Sequence, residues 1–138
     1  MPKKVPDDLE GFNPFAELLG LVFTRCENGE SECALEVSRK FLNPHGVVHG
    51  GVAYSLADTG MGAAAWSCID EDELCATIEI KIIYFKAVTS GTLHCRTKLL
   101  NRSRTIATFE SEIVNDGRLA AKAIGTFSVF KDRNAASG

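Results

Sequence analysis

Several things are scarce in this chain of 138 residues, and each scarcity excludes something. The five cysteines, Cys26, Cys33, Cys68, Cys75 and Cys95, form neither a C-x-x-C pair nor a cluster with His45, His49 or His94. That spacing argues against a zinc site or a disulfide framework, and for free, mostly buried thiols. Long runs of basic residues are missing and the formal net charge is −3, with a pI near 5.6. Nucleic-acid binding is therefore disfavoured as the main role. Met1-Pro2-Lys3-Lys4-Val5-Pro6-Asp7-Asp8 has no apolar signal core behind its lysines, so a cytosolic protein is expected. The 4 prolines and the lack of internal repeats or low-complexity stretches leave ordinary globular composition, 45% hydrophobic and 24% charged. Such a length fits one domain over residues 1–138, with 1–11 and 132–138 frayed.

The apolar stretch from Gly51 to Ile69 raises the membrane question. Asp58 at its centre would cost about 2.5–3.5 kcal/mol on insertion scales, so a soluble core helix is the better reading. From Phe41 to Ile69, Asp58 is the sole Asp, Glu, Lys or Arg. Its neighbours Val52, Ala53, Leu56, Ala57, Met61, Ala63, Ala64, Ala65 and Trp66 give the composition of a helix buried on most sides. A carboxylate buried there loses hydration unless something compensates or uses it. His49-Gly50-Gly51 stands where the helix begins, offering free backbone N–H groups to an electron-rich atom.

Around this helix the chain reads as strands. Asn13 caps a short helix, Pro14 opens it and Gly20 stops it. Leu21–Cys26 and Glu32–Val37 flank Asn28-Gly29, a strong hairpin signal because both turn residues tolerate positive φ. The long helix is expected from about His49 to Cys68. Thr77–Ile82 alternates with one apolar face, Thr92–Leu100 and Thr105–Val114 form a hairpin, and Asp116-Gly117 turns into Leu119–Phe130. In that last run Leu119, Ala121, Ala123, Gly125, Phe127 and Val129 share a face. Alternating βαβ units are absent, so the expected architecture is α+β, one antiparallel sheet curled around one helix.

His49 and Asp58 lie nine positions apart. At about 1.5 Å and 100° per residue, that is ~13 Å along the axis and opposite faces. They cannot converge on one substrate atom within a single chain. If both are catalytic, His49 and Gly50 of one subunit meet Asp58 of another, and a two-fold homodimer carries two such sites.

Asn43-x-x-Gly46-x-x-His49-Gly50-Gly51, followed by Ser55-Leu56-Ala57-Asp58-Thr59, resembles the hotdog-fold acyl-CoA thioesterases, in particular their phenylacetate-pathway (PaaI-like) branch. The similarity runs from about Phe15 to Phe130; Ala87 departs from it, standing where relatives often carry proline. The resemblance implies the hotdog fold and hydrolysis of an acyl-CoA substrate, with no cofactor and no metal. It also implies a homodimer, itself paired as a dimer of dimers.

By the same resemblance the Gly50 N–H would stabilise the thioester oxyanion, and His49 would position that loop. Asn43 would hold the carbonyl region or the attacking water. Asp58 would act as general base or nucleophile, and Thr77 would bond water or the carboxylate. Arg102, Arg104 and Lys86 are candidates for the coenzyme A phosphates. Phe12, Phe15, Tyr54 and Trp66 are candidates for an aryl-acyl pocket.

Bland readings exist for each residue taken alone. Gly50-Gly51 can be a tight turn, His49 a hydrogen-bonded core histidine, Asn43 a turn residue, Thr77 a β-former, and the cations solvated. A non-catalytic acyl-CoA-binding module on the same fold is the competing function, although binding alone gains nothing from a buried acid.

Overall fold

A computed structural model describes residues 3 and 10–134. The expected fraying at 1–2, 4–9 and 135–138 falls outside those residues. The first helix, α1 (Pro14–Leu19), begins and ends on the residues that its local chemistry dictates. The Asn13 side chain accepts the Ala16 N–H at 3.1 Å, and Gly20 closes the helix at φ 73°, a left-handed conformation that glycine adopts without a Cβ clash.

Six strands follow: β1 (Val22–Glu27), β2 (Glu30–Glu36), β3 (Glu73–Tyr84), β4 (Thr92–Arg102), β5 (Ile106–Asn115) and β6 (Arg118–Lys131). All pair antiparallel in the order β1-β2-β4-β5-β6-β3. The tight turns that join β1 to β2 and β5 to β6 have positive φ at both central residues, Asn28-Gly29 and Asp116-Gly117. That geometry matches the right-handed twist of the strands on either side.

Between β2 and β3 runs α2 (Gly50–Trp66), preceded by a 3-10 turn at Arg39–Phe41. The curled sheet wraps this helix, which makes the fold a hotdog. Leu56, Ala57, Met61, Ala64 and Ala65 are fully enclosed, against Leu35, Leu93, Phe109, Ile113 and Phe127 of the sheet. The Phe109 and Phe127 rings meet edge to face at 5.6 Å.

Small residues allow the helix to sit close. A Cβ on Gly60 would lie 2.9 Å from Thr97 Oγ1, and one on Gly125 would lie 2.5 Å from Met61 Sδ. At that range sheet side chains reach helix carbonyls directly: Ser31 Oγ donates to Gly60 O at 2.6 Å and Cys26 Sγ to Ala63 O at 3.1 Å. The buried hydroxyls Thr97 and Ser111 bond each other at 2.6 Å, so the polar atoms in this layer are satisfied.

Two irregularities and one edge matter for the site. Between Thr77 and Glu79 the pairing of β3 with β6 shifts by one residue, leaving Ile78 as a bulge. Between Val114 and Ile113 the β5–β6 pairing shifts at Ala120, so Ala120 and Ala121 are both buried while Leu119 is only half-buried. The strict face expected from Leu119 onwards therefore begins at Ala121. Finally, β3 is an edge strand, and it exposes Ile78, Ile83 and Tyr84. Among the described residues, no helix is long and apolar enough to cross a membrane.

Candidate active site

The loop before α2 is shaped by Asn43. Its amide oxygen accepts the N–H groups of His45 at 2.9 Å and Val47 at 3.3 Å, while its own N–H donates to Val47 O at 2.7 Å. A bridge between Leu42 and Val48 closes the base of the loop. Asn43 thus builds the turn with its oxygen, and its side-chain N–H groups stay available to a ligand.

His49 is the N-cap of α2, and its Nδ1 accepts the Gly51 N–H at 2.8 Å. With Nδ1 accepting, a neutral ring carries its proton on Nε2 and can offer that proton to a ligand. A Cβ on Gly51 would lie 2.9 Å from His49 Nδ1, so the cap needs glycine there. Gly50 is the first helical residue, and its N–H has no protein acceptor among the described residues. It lies at the positive end of a 17-residue helix, where a developing negative charge is favoured.

Tyr84, which sequence reasoning passed over, pins this helix start: its hydroxyl donates to Gly50 O at 2.6 Å. Burial, with a smaller push from Tyr54, raises the Tyr84 phenol above its ordinary value, so the hydroxyl remains a donor. A Cβ on Gly50 would lie 3.2 Å from the tyrosine ring, a tight contact that favours glycine there. The signal in the sequence was its position, closing the alternating run of β3.

Past β3, the N–H groups of Phe85 and Lys86 both donate to Ala120 O, at 2.8 and 3.2 Å. The bulge at Ala120 thereby holds Lys86 over the same cleft as His49 and Gly50, a cavity of about 350 Å³.

Asp58 lies on the other side of α2. It is half-buried rather than enclosed as the apolar run predicts, because the sheet leaves this face of the helix open onto a second cavity of about 740 Å³. Thr77 Oγ1 donates to Asp58 Oδ1 at 2.8 Å, aimed there beside the bulge at Ile78. Among the described residues none donates to Oδ2, which can accept from water. The cavity is mostly apolar, with Phe12, Phe23, Trp66 and Phe127 on its walls, and Asn13, Glu17 and Thr59 add polar groups to its lining. Burial pushes up the thiols of Cys26 and Cys75, which also line it, so they are neutral wall groups. Of the four aromatic candidates, Phe12 and Trp66 face this cavity and Phe15 and Tyr54 do not.

Within one chain the structure joins Asp58 to Thr77, and joins His49 and Gly50 to Lys86, but keeps the two groups on opposite sides of α2. The two arginines stand elsewhere. Arg102 is engaged internally, donating to Cys68 O at 2.8 Å and pairing with Glu73 Oε1 at 3.4 Å. Arg104 is exposed in the turn between β4 and β5. Among the described residues, no group of three or more His, Cys, Asp or Glu side chains is placed to hold a metal ion.

Comparison with known proteins adds independent information. The family model of the Thioesterase superfamily matches residues 45–122, which include His49, Gly50, Asp58, Thr77 and Lys86. A conserved protein of Pseudomonas aeruginosa has a similar structure, with a TM-score of 0.85 and 33% identity over 91% of this chain and 100% of that one. A mutant of the phenylacetic acid degradation protein PaaI from Thermus thermophilus aligns with a TM-score of 0.79 and 32% identity, over 84% of this chain and 98% of that one. Among curated proteins, the proofreading thioesterase EntH of Klebsiella pneumoniae is 26% identical over 75% of this chain and 76% of its own length.

Proposed function

The chain belongs to the Thioesterase superfamily and is a thioester hydrolase, and from that premise we propose that it cleaves aryl-acyl or medium-chain acyl-CoA to the free acid and coenzyme A, in a site shared between two subunits. The observation that carries this reading is Asp58: a carboxylate on an otherwise uncharged helix, oriented by Thr77 and open to a mostly apolar cavity of acyl-group size.

In the proposed reaction, Asp58 takes a proton from water as the water oxygen adds to the thioester carbonyl carbon. The carbonyl oxygen becomes an oxyanion facing the Gly50 N–H of the other subunit, where the helix N-terminus opposes its charge. Collapse breaks the C–S bond, and the proton leaves with the coenzyme A thiol. Direct attack by the Asp58 carboxylate, giving a mixed anhydride that water then hydrolyses, uses the same groups.

Two features support sharing. His49 and Gly50 are separated from Asp58 by the body of α2, so one chain supplies half of each site. The edge strand β3 exposes apolar side chains, Ile78 at 56% among them, on a strand whose unpaired backbone suits pairing with a second copy. The reading includes a homodimer, itself paired into a tetramer and working in the cytosol. Lys86, exposed beside His49, suits the coenzyme A phosphates; Arg104 can serve only from its turn, and Arg102 only by releasing Glu73.

Release of free thiol from a panel of acyl-CoAs tests the proposal. Wild type is expected to turn over phenylacetyl-CoA faster than acetyl-CoA, and Asp58→Asn to lose about 10²–10⁴-fold in kcat while still binding. Tight binding without turnover on every thioester would assign the chain to acyl-CoA binding instead.

A further inference from the structure

Asp58, Gly62 and Trp66 follow one another at four-residue intervals, so they form one stripe along α2. All three face the 740 Å³ cavity. The helix rise places Trp66 about 12 Å beyond Asp58. Between them Gly62 leaves space: a Cβ built there meets nothing within 4 Å, whereas a Cβ on Gly60, two positions earlier, collides with the sheet. Close packing therefore explains Gly60 and does not explain Gly62. A helix interior also disfavours glycine, so an unfilled position there needs another reason.

The far end of the stripe is closed. The Phe12 ring meets Trp66 edge to face at 5.4 Å, and Lys3 Nζ lies 4.3 Å from the centroid of the Trp66 ring. The backbone of Lys3 is itself held, its N–H donating to Ile69 O at 3.0 Å. Residues that precede α1 in sequence thus complete the end wall of a cavity that begins at the carboxylate. Phe23, Cys26, Cys75 and Phe127 are uncharged side walls, and Glu17 is the one charged residue besides Asp58 in the lining.

Resting on the thioesterase reading, we infer that Gly62 sets which acyl groups this site accepts: it keeps open the channel along α2 in which the acyl tail lies, running from the thioester at Asp58 to the Phe12–Trp66 pair. The substrate class is an acyl thioester with an apolar tail of aryl or medium-chain size. Short acyl groups reach the carboxylate but leave the channel empty. Each methylene seated against these walls favours binding by roughly fourfold, so discrimination accumulates along the channel.

The test uses Gly62→Leu and Phe12→Ala in the full-length protein, with acetyl-, hexanoyl-, octanoyl- and phenylacetyl-CoA as probes. Both hydrolysis (kcat/KM by thiol release) and binding (Kd by calorimetry) are measured. Gly62→Leu gains helix propensity and meets open space, so it folds; a thermal melt verifies this. The ratio of octanoyl to acetyl, in kcat/KM and in Kd, is expected to fall at least tenfold in Gly62→Leu. In Phe12→Ala the preference is expected to move toward longer tails. A ratio that stays at the wild-type value in Gly62→Leu, with acyl-CoA still bound or hydrolysed, overturns the channel. If no thioester is hydrolysed by wild type but the Kd ratio shifts as stated, the channel stands and the catalytic reading falls. Should Gly62→Leu fail to fold, the Phe12→Ala shift decides in the same way.

Discussion

An Asp58→Ala chain and an Asn43→Ala/His49→Ala chain, each inactive alone, are expected to restore activity when combined in one dimer. The reasoning starts from α2. His49 and Asp58 are separated by nine positions, so they project to opposite sides, and they line different cavities. If the site is shared, a dimer of the two variants joins the intact Asp58 of one chain to the intact Asn43 and His49 of the other. Its second site collects every defect. Random association makes about half of the dimers mixed, each with one working site of two, so an equimolar mixture reaches about one quarter of wild-type activity. Each parent is expected near or below about one hundredth, from loss of the base or of the groups that place the substrate. Co-expression with two different affinity tags isolates the mixed dimer, which alone is expected to show half of wild-type kcat. Asn43→Ala frees the His45 and Val47 N–H groups, so circular dichroism must show that the loop variant folds. Activity no greater than the mean of the two parents, in a folded mixed dimer, would refute the shared site.

Thr77→Val keeps the shape and removes the hydroxyl that orients Asp58; kcat is expected to fall by roughly tenfold with little change in KM, and Thr77→Ser is expected to restore it. Equal kcat in the valine variant would make Thr77 a mere β-former. Gly60→Ala is expected to destabilise by about 1–3 kcal/mol in urea unfolding, because Thr97 Oγ1 is tied to Ser111 and cannot retreat. Gly62→Ala, two positions on, is expected to stabilise by about 0.8–1 kcal/mol, and a loss instead would mean that its space is already filled. The Glu73 carboxyl is held below its ordinary value by the Asp70 N–H and, after that, by Arg102. A lowered folded-state value stabilises above the unfolded carboxylate range and is lost as pH falls through the folded value. The stability gap between wild type and Glu73→Gln, read from urea midpoints, is therefore present at pH 7 and closes below pH ~4; a gap that widens in acid would contradict the assignment.

Features with a local cause were legible in the sequence. Asn13, Pro14 and Gly20 bound α1 because a cap, a fixed φ and a left-handed stop act on their own neighbours. Asn28-Gly29 and Asp116-Gly117 made turns because positive φ is a property of the residue. The strand boundaries missed by a few residues, β3 most of all, starting at Glu73 rather than Thr77. There the Asp70 N–H and Arg102 hold Glu73 at the strand start, and the arginine lies 29 positions away. The same contact explains why Arg102 looked like a free phosphate ligand: nothing near it in sequence reveals a buried acid waiting as its partner.

The site divides along the same line. The turn from Asn43 to Gly51 could be read because the bonds made by the Asn43 and His49 side chains close within a few residues, whereas the tie from Tyr84 to Gly50 could not. The placing of Thr77 against Asp58 could not, because alternation in Thr77–Ile82 runs straight through a bulge that only the pairing with β6 creates. Ala120 is the second instance: its bulge carries the carbonyl that fixes Phe85 and Lys86, more than 30 positions earlier, beside Gly50. Both bulges direct side chains to one helix, one toward the carboxylate at its middle and one toward its N-terminus. Paired without its bulge, the same sequence in each strand would invert its alternation past that point, so each bulge sets which side chains face the helix as well as those beside Asp58 and Gly50. If Thr77 and Lys86 matter only through these placements, a change that straightens β3 should abolish turnover while leaving the thermal midpoint nearly unmoved. Deleting Ile78, the unpaired residue, is that change, because the residues after it keep their partners. Loss of folding instead would show that the bulge serves the sheet and not the chemistry.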